Sequence, residues 1–187
     1  MSTVHHPELR RRPSLLRKRL LIPLSLLALM GLFSIPTIEV KDVSDGRVLF
    51  VSRTSRGQIF EVRYIHSVEK IPVAGIFKVS HGNRIEVVES IFSSYGAGLP
   101  SDTPREDITF EEGWMRVRHH GVTMDRLRIF ISPFTEQQFI HQDGGIDLSS
   151  VGEGHIVEIK VKRTRLARYL ARRFYDVFRG GFGQSSG

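Results

Sequence analysis

The side chains best equipped for chemistry are concentrated in Tyr64-Ile65-His66-Ser67-Val68-Glu69-Lys70, where an imidazole, a hydroxyl and a carboxylate fall within four residues. A hydrolase would use Ser67 as nucleophile and His66 as base, with Glu69 orienting the ring. Neighbours on a strand point to opposite faces, so His66 and Ser67 are poorly placed to share a proton. No nucleophile elbow accompanies them. A metal site would take His66 and Glu69 with His119, His120 or Glu89, since neutral imidazole and carboxylate are suitable ligands. No His-x-x-x-His pair is present, however, and His119 and His120 diverge if they lie on a strand. Two further readings are that Ser67, Glu69 and Lys70 satisfy backbone groups at a strand-to-turn junction with His66 half-buried, or that the cluster recognises a ligand or partner.

A second group, Ser93-Ser94-Tyr95-Gly96-Ala97-Gly98-Leu99-Pro100, carries glycines that permit positive φ and close backbone approach. Such a loop can present N–H groups to an anion, or simply turn a tight corner. It is not a dinucleotide fingerprint, because the third glycine is missing and no helical pattern follows. The expectation is therefore binding without catalysis, cofactor or metal. The candidate binding residues are Tyr64, His66, Ser67, Glu69, Gly96 and Gly98.

The elements that must position these residues have a period of two. Residues 47–53 and 58–68 alternate as strands, and 73–80 with 84–92 read as a hairpin closed by His81-Gly82-Asn83. Residues 114–120 and 123–131 suggest a second hairpin turning at Gly121. Residues 154–162 alternate Ile156, Glu158, Lys160 and Lys162 against Val157, Ile159 and Val161. The fold class is mainly β: an antiparallel sandwich or barrel, with an N-terminal membrane helix and a C-terminal amphipathic helix.

The ends differ in kind from the body. The chain has 187 residues, no cysteine and a net charge of +7, partitioned as +5 over 1–36, −4 over 37–157 and +6 over 158–187. Basic ends around an acidic body suit a membrane surface and argue against a nucleic-acid partner, which needs its charge on the folded domain. Arg17, Lys18 and Arg19 precede an uncharged run over 20–38. As a helix that run would be about 28 Å long, against a hydrocarbon core of about 30 Å. The positive-inside bias then holds the basic leader, 1–19, in the cytoplasm and makes 20–38 a single-pass signal anchor in the cell membrane. A cleaved signal peptide has the same grammar, but no Ala-x-Ala site ends the run. The β domain, 39–162, lies outside. Residues 163–180 form a basic amphipathic helix on which Leu166, Tyr169, Leu170 and Phe174 make one stripe and arginines most of the rest, a pattern suited to a bilayer interface. Residues 181–187 read as a flexible tail.

The Tyr64–Val73 block, Phe77-Lys78-Val79, Tyr95-Gly96-Ala97-Gly98-Leu99-Pro100 and Gly113-Trp114 together resemble an uncharacterised family of small exported proteins. Its genes commonly sit beside TAXI-type TRAP transporters in bacteria and archaea. The resemblance spans about residues 45–135 and leaves out the arginine-rich helix. It implies an accessory or binding module of such an uptake system, with the transporter's membrane subunit as partner and no enzymatic activity. It also implies that His66, Ser67, Glu69, Gly96 and Gly98 form a shared surface. The alternatives are a stand-alone envelope structural protein, or an extracytoplasmic hydrolase or metal enzyme using His66 and Glu69.

Overall fold

Gly82 and Asn83 take positive φ, 68° and 59°, a backbone that glycine and asparagine tolerate best. They close the expected hairpin between β4 (Pro72–Val79) and β5 (Ile85–Phe92). The computed structural model describes residues 31–93 and 106–180. Within them two units are distinguished. Ile35–Thr164 is one, and the described parts of the other are residues 31–34 and 165–180.

The larger unit is built from two antiparallel sheets. The smaller sheet has the order β2 (Val48–Arg53), β1 (Ser34–Asp42), β12 (Ile156–Arg165), β9 (Arg126–Phe130). The larger runs β11 (Gly144–Asp147), β10 (Gln138–His141), β3 (Ile59–Ile65), β4, β5, β7 (Trp114–His119), β6 (Glu106–Glu111), with the short β8 (Thr123–Met124) paired to β5. One apolar core takes Ile38, Val40, Val157, Ile159 and Val161 from the first sheet and Phe60, Val62, Phe77, Val79 and Phe139 from the second. Aromatic rings tie the two layers together. Phe50 of β2 meets Phe139 of β10 at 5.4 Å, Phe139 meets Phe60 at 5.7 Å, and Phe60 stacks on Phe77 at 5.2 Å.

The alternation read in β12 holds: Val157, Ile159 and Val161 are buried, and the opposite face carries ion pairs. Lys162 reaches Glu39 at 2.6 Å, and Arg128 reaches Glu158 at 2.9 Å. A bulge between Ile76 and Phe77 sets the second half of β5, so that Ile76 pairs with Glu89 but Phe77 with Val87.

Three expectations are corrected. Ser34–Ile38, assigned to the tail of the anchor, opens strand β1, and Ile38 is fully buried in the core. Residues 20–30, the greater part of the expected membrane helix, lie outside the described residues, as does the basic leader. Among those described, no helix is long and apolar enough to cross a membrane. The proposed hairpin at Gly121 does not form. β7 pairs with β5 and β6, whereas β9 pairs with β12, where Leu127 stands beside Ile159 and Ile129 beside Val157. Finally, β3 ends at Ile65 rather than residue 68, because His66 begins a hydrogen-bonded turn.

In the second unit, α1 (Leu166–Gly180) follows β12 directly, and its first amide donates to the Phe33 carbonyl at 2.8 Å. Leu166, Tyr169 and Leu170 are half-buried, whereas Phe174, Arg168 and Arg173 are exposed.

Candidate binding site

Six residues, 66–71, link the paired ends of β3 and β4, Ile65 and Pro72. The His66 amide donates to the Ile71 carbonyl at 2.8 Å, and the Lys70 amide to the His66 carbonyl at 2.9 Å. His66 Nδ1 accepts the Glu69 amide at 3.2 Å, so a neutral ring carries its proton on Nε2. Lys70 takes φ of 56° to complete the turn, and its ammonium lies 5.2 Å from the centre of the Phe134 ring. Ser67 and Val68 are exposed at the apex, and Glu69 is half-exposed. His66 thus satisfies the turn backbone, and no hydrogen bond joins it to Ser67 among the described residues. Gly96 and Gly98 lie outside the described residues.

The turn adjoins a cleft on the outer face of the large sheet. The registers set Gln138 beside Arg63, Arg63 beside Ala74, Ala74 beside Ile91 and Ile91 beside Arg116. Five strands therefore contribute one residue each to a single transverse row. Successive residues on a strand alternate faces, so Glu61, Arg63 and Ile65 share this side while Phe60 and Val62 enter the core. The cleft encloses about 480 Å³. Ala74, Ile91, Ile65 and Pro72 supply apolar surface, and Trp114 stands at one side.

Two arginines frame it. Arg63 is held by both Glu61 oxygens, at 2.6 and 3.1 Å. Arg116 pairs with Glu89 at 3.1 Å and lies 3.8 Å from Glu111, yet its buried Nε has no hydrogen-bond partner among the described residues. Tyr64 also borders the cleft, and desolvation pushes its phenol above the ordinary value. Apolar surface bounded by guanidinium and carboxylate groups is suited to reversible recognition.

The other residues considered as ligands are dispersed. Glu89 is taken up by Arg116 and Arg118 on the outer face. His119 makes a 3.0 Å contact with Ser90, and His120 a 2.7 Å contact with Asp107. Among the described residues, the group of three possible metal ligands with atoms within 4.8 Å of one another is Asp42, Asp45 and His155, none of which the sequence had suggested. Asp42 and His155 already bond each other at 2.7 Å. The cleft itself was not foreseen either. Period-two alternation could have placed Glu61, Arg63 and Ile65 on one face, but only register brings Arg116 and Gln138 into line with them.

No curated protein and no solved structure gives a significant match to the chain. Residues 60–148 match the family model described as a domain of unknown function, DUF1850, and every residue lining the cleft falls within that matched stretch.

Proposed function

We propose that this protein is a membrane-anchored extracytoplasmic binding module, an accessory of a TRAP-type solute uptake transporter of the TAXI class. The observation that carries the binding reading is the outer-face cleft, with Trp114, Arg63 and Arg116 around apolar surface. Tryptophan and arginine are the residues that most often anchor protein interfaces. Val68 and Phe134 add large apolar side chains that stand mostly exposed. The two-layer β architecture is read as a sandwich. The transporter link rests on the resemblance of the 64–100 and 113–114 motifs, which fall within the matched residues.

Anchoring rests on the sequence before β1. With Ser34 committed to the sheet, the uncharged run is 20–33, about 21 Å as a helix. Lysine and arginine stems at 17–19 extend that reach by snorkelling to the interface.

The test is purification of tagged full-length chain from its native membranes in mild detergent. Co-purification of a multi-spanning TRAP subunit, reduced severalfold by Trp114→Ala in a chain that still folds, is the expected result. Recovery without that subunit, or undiminished recovery with the variant, would overturn the reading.

A further inference from the structure

The apolar side of α1 runs out of cover along its length. Leu166, Leu170 and Phe174 stand four residues apart and so line one side of the helix. Leu166 and Leu170 are half-buried, but Phe174 is 64% exposed, and Tyr175 beside it is exposed as well. The start of the helix adds to this surface. The Leu166 amide donates to the Phe33 carbonyl, and both Phe33 and its neighbour Leu32 expose most of their apolar side chains.

The cations of this unit differ from those of the sheets. On the sheets Arg63 pairs with Glu61, Arg116 with Glu89, Arg126 and Arg128 with Glu158, and Lys162 with Glu39. Arg165, Arg168 and Arg173 are exposed and have no carboxylate partner among the described residues. Arg173 follows Leu170 by three residues, so it borders the apolar side. A nucleic acid would meet these cations but leave Phe174 in water. A bilayer interface takes both, with guanidinium groups at the phosphates and apolar rings just beneath them. With a net charge of +6 over 158–187, the complementary bilayer is an anionic one.

We infer that α1 docks on the surface of an anionic bilayer, with Phe174 in the interface and Arg165, Arg168 and Arg173 on lipid phosphates. This contact is additional to the anchor proposed before β1, and it rests on that reading only for the tether that keeps the helix near the membrane.

The test uses the full chain, which has no cysteine, with a nitroxide attached at Phe174→Cys as an apolar stand-in for the ring. The chain is placed in nanodiscs of phosphatidylcholine, alone or mixed with phosphatidylglycerol. Spin relaxation by oxygen and by a water-soluble nickel chelate then gives the depth of the label. The expected result is a label shielded from nickel and open to oxygen only where phosphatidylglycerol is present. Raising the salt should return it to water, since the attraction is screened. Arg165→Gln, Arg168→Gln and Arg173→Gln together should weaken docking by roughly tenfold or more, each arginine at an anionic surface being worth about fivefold. A label in water in both kinds of disc, or at equal depth in both, would overturn the inference. The comparison of lipids and the salt series need no arginine variant. Failure of the anchor is read separately: the chain then leaves phosphatidylcholine discs but stays through α1 on those with phosphatidylglycerol, and its loss from both would overturn the docking as well.

Discussion

Thr37 of β1 and Thr164 of β12 meet through their hydroxyls at 2.7 Å, both buried, and Thr37 also donates to the Lys162 carbonyl at 3.3 Å. Thr37 has one proton. If it goes to Lys162, the Thr164 hydroxyl must be the donor to Thr37. Thr37→Val then leaves the buried Thr164 O–H without its acceptor, at a cost of about 2 kcal/mol. Thr164→Val removes only a donor and costs about 1 kcal/mol. The double variant buries no orphaned hydroxyl, so its cost should fall at least 1 kcal/mol below the sum of the singles. With an m-value of about 2 kcal/mol per M, Thr37→Val lowers the urea midpoint by about 1 M. The assay is urea unfolding of the full chain in non-ionic detergent, followed by fluorescence of Trp114, the single tryptophan. Strict additivity across the cycle would refute the pairing. A midpoint unchanged by Thr37→Val would refute the assignment of residues 34–38 to the sheet rather than to an anchor.

Other outcomes follow from the same geometry. Gly75→Ala must displace the Phe77 ring, which stacks on Phe60, and should cost about 1–3 kcal/mol by thermal unfolding. Burial lowers the pKa of His141, partly offset by Asp143, so the fold favours its neutral form. That contribution is complete above the ordinary value of 6.5 and declines as pH falls below it, and His141→Gln should remove this step from a plot of urea midpoint against pH. Burial alone would raise Asp42, but hydrogen bonds from His155 and the Ser44 amide, with the charges of His155 and Arg47, hold it below 3.8. Its contribution is complete above 3.8 and lost as pH falls further, a second step that Asp42→Asn should abolish. His66→Ala, which deprives the Glu69 amide of its acceptor in a partly exposed turn, should cost about 1 kcal/mol or less in urea unfolding.

What was legible in the sequence was local. The β4–β5 hairpin carries its own turn chemistry in Gly82 and Asn83, and β12 announces its two faces in Val157, Ile159 and Val161. β1 was hidden because Ile35 and Ile38 continue an apolar run, and composition alone does not mark where a helical segment yields to a strand. The β7–β9 pairing was misread because Gly121 looks like a hairpin turn, whereas the partner of β9 is β12, some 30 residues further along. The His66 turn could be read as a junction from its polar residues and Pro72. Gln138, Ile91 and Arg116 could not be singled out, since their significance comes from registers between neighbouring strands that the sequence does not mark.

The first and last strands of the larger unit are neighbours. Hydrogen bonds from Val43 to Ile156 and from Leu166 to Phe33 show that β1 and β12 run in opposite directions, so the chain enters and leaves at adjacent positions. This has a mechanical consequence. Force pulling the two flanking segments apart would load the β1–β12 ladder as a zipper, breaking one rung at a time from the 33–166 end inward, and would not shear many rungs at once. Such a domain yields easily along that line. If the basic helix after β12 met the same bilayer that the N-terminal run is proposed to enter, the two flanks would move together and that rung would be spared the load.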